Sequence, residues 1–185
     1  MPNVLIPLAE ECEELEAVTA IDLLRRAGLK VITAGLVPGP VRASRGTVLV
    51  PDTTLDEALA EEFDLLVLPG GLPGADHLNA DRRIHRLIHA LVEQKKYVAA
   101  ICAAPRVLAD AGVLKGRRAT SYPGTLSPAQ LEGVDYCEQA VVRDGPVITS
   151  RGPGTAMDFA LTLIEVLAGR EQRDQVERAL VRSPA

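Results

Sequence analysis

The sequence predicts an α/β sandwich in which a mostly parallel central sheet is covered by helices on both faces. Short apolar runs alternate with longer segments whose apolar residues recur at helical spacing, the pattern of strand-helix-strand units. The first two runs are joined by one helix and short connections, as a parallel pair requires. Composition agrees: 47% of residues are hydrophobic but only 3% aromatic, and an Ala, Val, Leu and Ile-rich chain suits strands buried on both sides. The 185 residues are expected to form one domain, residues 1–185, long enough for a three-layer core.

The elements follow in order. "NVLIPLA" (residues 3–9) reads as a strand, "LEAVTAIDLLRRAG" as a helix stopped by Gly28, and "KVITAGLV" as the second strand. "VRASRGTVLVPD" is a small excursion of one or two edge strands and "TTLDEAL" a short capped helix. "FDLLVLPGG" is a central strand ending in a glycine turn. "ADRRIHRLIHALVEQKK" is a helix and "YVAAIC" the next strand. "AAPRVLADAGVLKG" is a helix with Pro105 in its first turn and Gly112 or Gly116 near its end. "RRATSYP" gives a short strand, and "YCEQAVVRDGPVITS" two strands turning at Asp144 and Gly145. "TAMDFALTLIEVLAGR" is a helix, and "EQRDQVERALVRSPA" a last short helix with a frayed end.

Several function classes are disfavoured. A net charge of -5 without a basic cluster argues against a stable nucleic-acid complex. No window reaches the roughly 18 apolar residues of a membrane span, and the start of the chain lacks a basic leader and cleavage site, so a cytoplasmic location is expected. Cys12, Cys102 and Cys137 are far apart and indicate neither a disulfide framework nor a zinc ribbon. His85 and His89 have metal-ligand spacing, but Arg82, Arg83 and Arg86 surround them and no third ligand is evident, so no metal site is expected. His77, soon after the double glycine, could approach the mouth of a pocket but reads first as an ordinary loop histidine.

The chemistry concentrates at "VAAICAAPR". Cys102 stands where a strand ends and a helix begins, the place where open parallel sheets gather reactive groups. The small Ala100 and Ala104 occupy the minus-two and plus-two places of a nucleophile elbow. Backbone N–H groups and the helix start are expected to favour a thiolate; alternatively, Cys102 simply fills the junction as a small apolar residue. In "LLVLPGG", Gly70 and Gly71 could bring backbone N–H groups to a reacting oxygen, or form a mere turn. Glu16 prolongs the apolar stripe of Ala20, Leu23, Leu24 and Ala27 and is expected to be partly desolvated, which raises a carboxyl pKa. The other glutamates of "EECEELE" are accounted for as favourable charges at a helix N-terminus, and spacing alone does not select Glu16 over Glu13 or Glu14.

Four motifs in order, "EECEELEAVTAIDLLRRAG", "VLPGG", "AAICAAP" and "TSRGPGTAMDFAL", resemble the ThiJ/PfpI superfamily, in the branch of the Parkinson-disease-associated deglycase and its bacterial YajL relatives. The likeness runs over residues 4–181. It implies a flavodoxin-like three-layer sandwich, a homodimer, Cys102 as nucleophile, Glu16 as its protonated partner, and backbone N–H groups from Gly70 and Gly71, with Ala103 beside the cysteine. It also implies that Arg151, Gly152, Pro153 and Gly154 lie beside the pocket, at the dimer contact. The disease-associated member carries a histidine where "TSYP" has Tyr122, so no histidine base is expected there and Tyr122 is read as pocket-lining. Ala103 stands where the protease-like branch has a histidine, which disfavours a Cys-His hydrolase.

The resemblance implies a cofactor-free enzyme of the glyoxalase III or deglycase type. Its substrates would be glyoxal and methylglyoxal, or their early adducts with protein and nucleotide amines and thiols. The alternative is a redox-responsive protective protein or chaperone that senses oxidants through Cys102.

Overall fold

The computed structural model describes residues 1–182. Its strands are β1 (Asn3–Leu8), β2 (Lys30–Gly35), β3 (Val41–Arg42), β4 (Val48–Leu49), β5 (Thr53–Thr54), β6 (Leu65–Leu68), β7 (Tyr97–Ile101), β8 (Arg118–Ala119), β9 (Asp135–Tyr136), β10 (Val141–Asp144) and β11 (Val147–Ser150). Seven of them form the central sheet in the order β10-β11-β7-β6-β1-β2-β5. All neighbouring pairs are parallel except β10 with β11, a hairpin closed by Gly145 at φ 58.

The helices are α1 (Glu14–Arg26), α2 (Leu55–Ala58), α3 (Gly74–Ala80), α4 (Arg82–Glu93), α5 (Pro105–Asp110), α6 (Pro128–Leu131), α7 (Ala156–Ala168) and α8 (Arg170–Ala179). Because side chains alternate along a strand, each strand feeds two cores. Val4 and Ile6 of β1, with Val67 and Ile101, pack against Leu23, Leu24, Phe159 and Ile164 on the α1 and α7 side. Leu5, Leu66 and Leu68 pack against Leu55, Leu78, Ile84, Ile88 and Leu108 on the other. This is the expected three-layer α/β sandwich, with no helix among the described residues long and apolar enough to cross a membrane.

The structure departs from the sequence reading in four places. The 41–49 excursion, β3 with β4, is a small antiparallel sheet of its own, and only β5 reaches the main sheet edge. The "GADHL" segment is helix α3, not a loop. The strand at Arg118 pairs in parallel with β9, so three strands, not two, occupy the 135–150 region. The Cys102-proximal helix is only six residues long, ending at Asp110 before Gly112 at φ 75. The expected frayed end at 183–185 lies outside the described residues.

Candidate active site

The chain leaves β7 at Ile101 and turns at once. Cys102 has φ 62, a left-handed conformation uncommon in residues with a side chain and maintained only where surroundings over-determine it. Here they do: the Cys102 N–H donates to the Ser150 carbonyl (3.0 Å), and the Cys102 carbonyl accepts from the Tyr122 N–H (2.8 Å). Ser150 is itself held, its Oγ donating to the Ala140 carbonyl (2.8 Å) and lying 2.7 Å from Thr155 Oγ1. Ala100 and Ala104 are wholly buried, as the cramped elbow requires.

Three glutamates in and just before the first turn of α1 have three fates. Glu13 is the N-cap, its Oε2 accepting the Glu16 N–H (2.9 Å). Glu14 turns outward and accepts from Ser44 Oγ (3.1 Å) and the Arg45 N–H (3.0 Å), tying α1 to the turn between β3 and β4. Glu16 turns inward, 1% exposed, with Oε2 accepting the Gly70 N–H at 2.8 Å and Oε1 lacking a hydrogen bond.

Gly70 lies where Glu16 and Cys102 converge. A Cβ there would stand 2.7 Å from both Glu16 Oε2 and Cys102 Cβ, and 2.8 Å from the Ile101 carbonyl. Only hydrogen fits in that gap. A Cβ on Gly71, at φ 88, would meet the Glu11 carbonyl and Glu13 nitrogen at 2.6 Å. The expectation for Gly70 therefore needs correction: its N–H is committed to Glu16 and is not free for a substrate oxygen. The backbone N–H groups that pull the Cys102 thiol down are those of Gly71 and Ala103.

Burial pushes the Glu16 carboxyl up to about 7; the Gly70 N–H and Cys102 pull it down, and the Glu13 charge raises it further. Burial and then the Glu16 carboxylate push the Cys102 thiol up to about 12, against the lowering by the Gly71 and Ala103 N–H groups. The backbone N–H groups and helix start expected to favour a thiolate are opposed here by desolvation and by the facing carboxylate. The two groups titrate as a pair. With the proton on Glu16 the charge opposing the thiolate is gone, and the two N–H groups then act against burial alone.

The sulfur opens into a cavity of about 390 Å³ lined by Glu13, Arg45, Gly71, Ala103, Tyr122 and Pro153, among others. Arg151 and Gly152 lie beside it, lining an adjoining depression of about 230 Å³ that shares Tyr122 and Pro153 with the cavity. Arg151 turns to Glu138, 3.2 Å from its carboxylate, and Gly152 backs the Tyr122 ring, which a Cβ would approach to 3.2 Å.

Residues 2–166 match the DJ-1/PfpI family. The chain belongs to that family. It is 43% identical over 181 residues to Protein dj-1beta of Drosophila melanogaster, covering 97% of this chain and 96% of that protein. The crystal structure of Drosophila melanogaster DJ-1beta matches it with a TM-score of 0.94 at 42% identity over 99% of both chains. Glutathione-independent glyoxalase DJR-1.2 of Caenorhabditis elegans is 36% identical over 96% of this chain and 94% of its own. A structure of oxidized Toxoplasma gondii DJ-1 matches with a TM-score of 0.91 at 35% identity over the whole of both chains. The family resemblance and the flavodoxin-like sandwich both hold.

In this DJ-1/PfpI chain the remaining candidates stand apart from the cavity. Cys12 is wholly buried, its thiol pushed up to about 12 by burial and the nearby glutamates. Cys137 is partly exposed beside Arg118. His77 Nδ1 lies 3.2 Å from the Glu10 carbonyl and His85 Nε2 2.8 Å from the Asn79 carbonyl. No cluster of three metal-ligating side chains occurs among the described residues. Sequence reasoning kept Glu13 among the candidate acids but missed Arg45, which arrives at the cavity through the hydrogen bonds of Glu14, a tertiary link with no local signature.

Proposed function

We propose that this chain is a cofactor-free cysteine enzyme of the glyoxalase III or deglycase type, acting on glyoxal, methylglyoxal or their early adducts. The supporting observation is the Glu16 and Cys102 pair, closed over Gly70 beside a small cavity, with a carboxyl held near 7. Such a carboxyl can both give and take a proton at neutral pH.

In this reading the Cys102 thiolate adds to the aldehyde carbon of methylglyoxal, and the displaced π pair takes the Glu16 proton, giving a hemithioacetal. The Glu16 carboxylate removes the hydrogen on that carbon as a proton. The resulting enediol is reprotonated on the neighbouring carbon, leaving a 2-hydroxy thioester. The first carbon has lost two electrons and the second gained two, so no external oxidant enters. Water then breaks the C–S bond to release lactate and the thiol. For a carbinolamine adduct, sulfur replaces the amine, which departs with a proton, and the later steps are the same. The N–H groups of Gly71 and Ala103, which pull the thiol down, suit the negative charge of the attacking thiolate and the oxyanion beside it.

The test is lactate formation from methylglyoxal by the parent and Cys102→Ala. Background rates in the variant are expected; retained turnover would overturn the reading. A second reading, oxidant sensing, draws on the same N–H groups, which could hold a sulfinate, and on the oxidized state named for the Toxoplasma relative. Intact mass after peroxide treatment tests it: two added oxygens at Cys102 are expected, and an unmodified Cys102 would remove it.

We also infer that the chain works as a homodimer. Leu15, Val18 and Met157 are half exposed on α1 and α7, which pack together, and the exposed Val48 and Val50 belong to the segment that Glu14 ties to α1. Exposed apolar side chains on elements that pack together supply the material of an interaction surface. Light scattering is expected to give twice the chain mass, and a monomer would exclude the assembly.

A further inference from the structure

The helix α4 carries a feature that the site around Cys102 does not use. Ile84, Ile88 and Leu91 face the core, whereas Arg82, His85, Arg86 and His89 share another stripe of the same helix at spacings of three and four. With Asn79 and Ala80 from the end of α3 they line an open depression of about 650 Å³ that has no acidic residue in its wall. The nearest carboxylate in sequence, Asp81, is already committed: it caps α4 through the Arg83 N–H (2.8 Å) and pairs with the Arg83 guanidinium (2.6 Å).

Most arginines of this acidic chain are neutralised. Arg25, Arg83, Arg106 and Arg117 each meet an aspartate. Arg82 and Arg86 are exposed and meet no carboxylate among the described residues. Like charges four residues apart on a helix repel by a few tenths of a kcal/mol, so the sequence holds two guanidinium groups together at a small cost. His85 is fixed beside them, its Nε2 lying 2.8 Å from the Asn79 carbonyl and 3.1 Å from Asn79 Oδ1. The histidine spacing that suggests a metal site in the sequence is therefore flanked by two unneutralised cations, which disfavour a metal ion and favour an anion. Paired guanidinium groups, with a ring N–H from His89 beside them, match the oxygens of a phosphate, whereas the Nε2–H of His85 is spent on the Asn79 carbonyl.

We propose that Arg82, Arg86 and His89 form a binding site for a phosphoryl anion, walled by His85 and separate from the Cys102 cavity. The ligand class is a di- or polyphosphate, either free or carried by a nucleoside. Two guanidinium groups on successive turns can each take one phosphoryl unit, and the depression has room for both.

Calorimetric titration of the full chain with inorganic pyrophosphate and, separately, with a nucleoside diphosphate tests the proposal. Saturable binding of at least one probe by the parent is expected. The double variant Arg82→Gln, Arg86→Gln should weaken it by about tenfold or more, the size of one lost charge-assisted contact. A control double variant at two exposed arginines elsewhere, Arg42→Gln with Arg143→Gln, should bind as the parent does. Tighter binding of the nucleoside diphosphate would identify the carried form as the ligand, and equal binding the free anion. Absence of binding by the parent, undiminished binding by the Arg82 and Arg86 variant, or equal loss in the control would each overturn the proposal. Circular dichroism of the variants separates lost binding from lost folding, and the readout is independent of methylglyoxal turnover.

Discussion

Glu14 and Glu16 are two residues apart in one helical turn, yet they occupy different chemical worlds. Burial works to raise both. At Glu14 it is overcome by the N–H groups of Glu14 itself, Arg45 and Thr47 and by the Thr47 side chain, and the carboxyl is pulled from 4.5 down to about 2. At Glu16 it wins over a single N–H from Gly70 and the contact with Cys102, and the carboxyl is pushed from 4.5 up to about 7. The difference is the direction in which a helix points each side chain: one toward a neighbouring turn rich in donors, the other toward the carboxyl ends of the central strands β6 and β7. A permanently ionised fastener and a group able to exchange protons thus come from the same amino acid.

The sharpest way to break this contrast is Glu16→Gln. The amide keeps the size and a donor but carries no exchangeable acid proton, so methylglyoxal turnover is expected to fall by about 10²-fold or more. Parent-like rates would make Glu16 a structural residue. Gly70→Ala attacks the same pair sterically. With a Cβ 2.7 Å from Glu16 Oε2 and Cys102 Cβ, a loss of about 1–3 kcal/mol in urea unfolding is expected, as for overpacked cores, and turnover should fall with it. An alanine variant as stable and active as the parent would show that the two side chains need not meet there.

Stability against pH sharpens the comparison because the two carboxyls act with opposite sign. Glu14, lowered on folding, contributes stability that is present above about 4.5 and lost as pH falls toward 2. Glu16, raised on folding, contributes stability that is present below 4.5 and lost as pH rises toward 7. Urea midpoints between pH 2 and 8 should therefore lose their acid limb in Glu14→Gln and flatten between 4.5 and 7 in Glu16→Gln. The Glu14 effect should be about 1 kcal/mol or less, since that carboxylate is largely solvated. Identical profiles for the two variants would refute the assignment. The smallest effect is expected where neither carboxyl is touched: Tyr122→Phe removes a half-exposed hydroxyl and should hold turnover within about tenfold, one neutral hydrogen bond at most. A loss as large as that of Cys102→Ala would give Tyr122 a chemical step.

The alternation of strands and helices was legible because burial on two faces leaves a periodicity in the chain, and β1, α1, β2, β6, β7 and α7 all follow it. Helix α3 was not, since "GADHLNA" has too few apolar residues to show a stripe and follows a glycine and proline-rich turn. Cys102 could be singled out because an elbow demands small neighbours, a local requirement. The partition of Glu13, Glu14 and Glu16 among cap, tie and buried acid could not be read from spacing, because it depends on the turn at Arg45 and on Gly70, distant in sequence. The same is true of the Gly70 N–H: a glycine after a strand announces close approach, but not which group approaches.

The left-handed backbone at Cys102 sets what the chain needs to stay folded against what it needs to react. Every side chain at position 102 carries that conformational penalty, and glycine alone would escape it; an uncharged side chain at position 16 would likewise avoid burying a carboxyl above pH 7. A library of this gene screened only for resistance to heat or protease should therefore drift toward Cys102→Gly and toward neutral residues in place of Glu16, while a screen for survival in methylglyoxal should hold both. Sequencing the two outcomes would map, position by position, where the molecule gives up stability to keep a reactive sulfur.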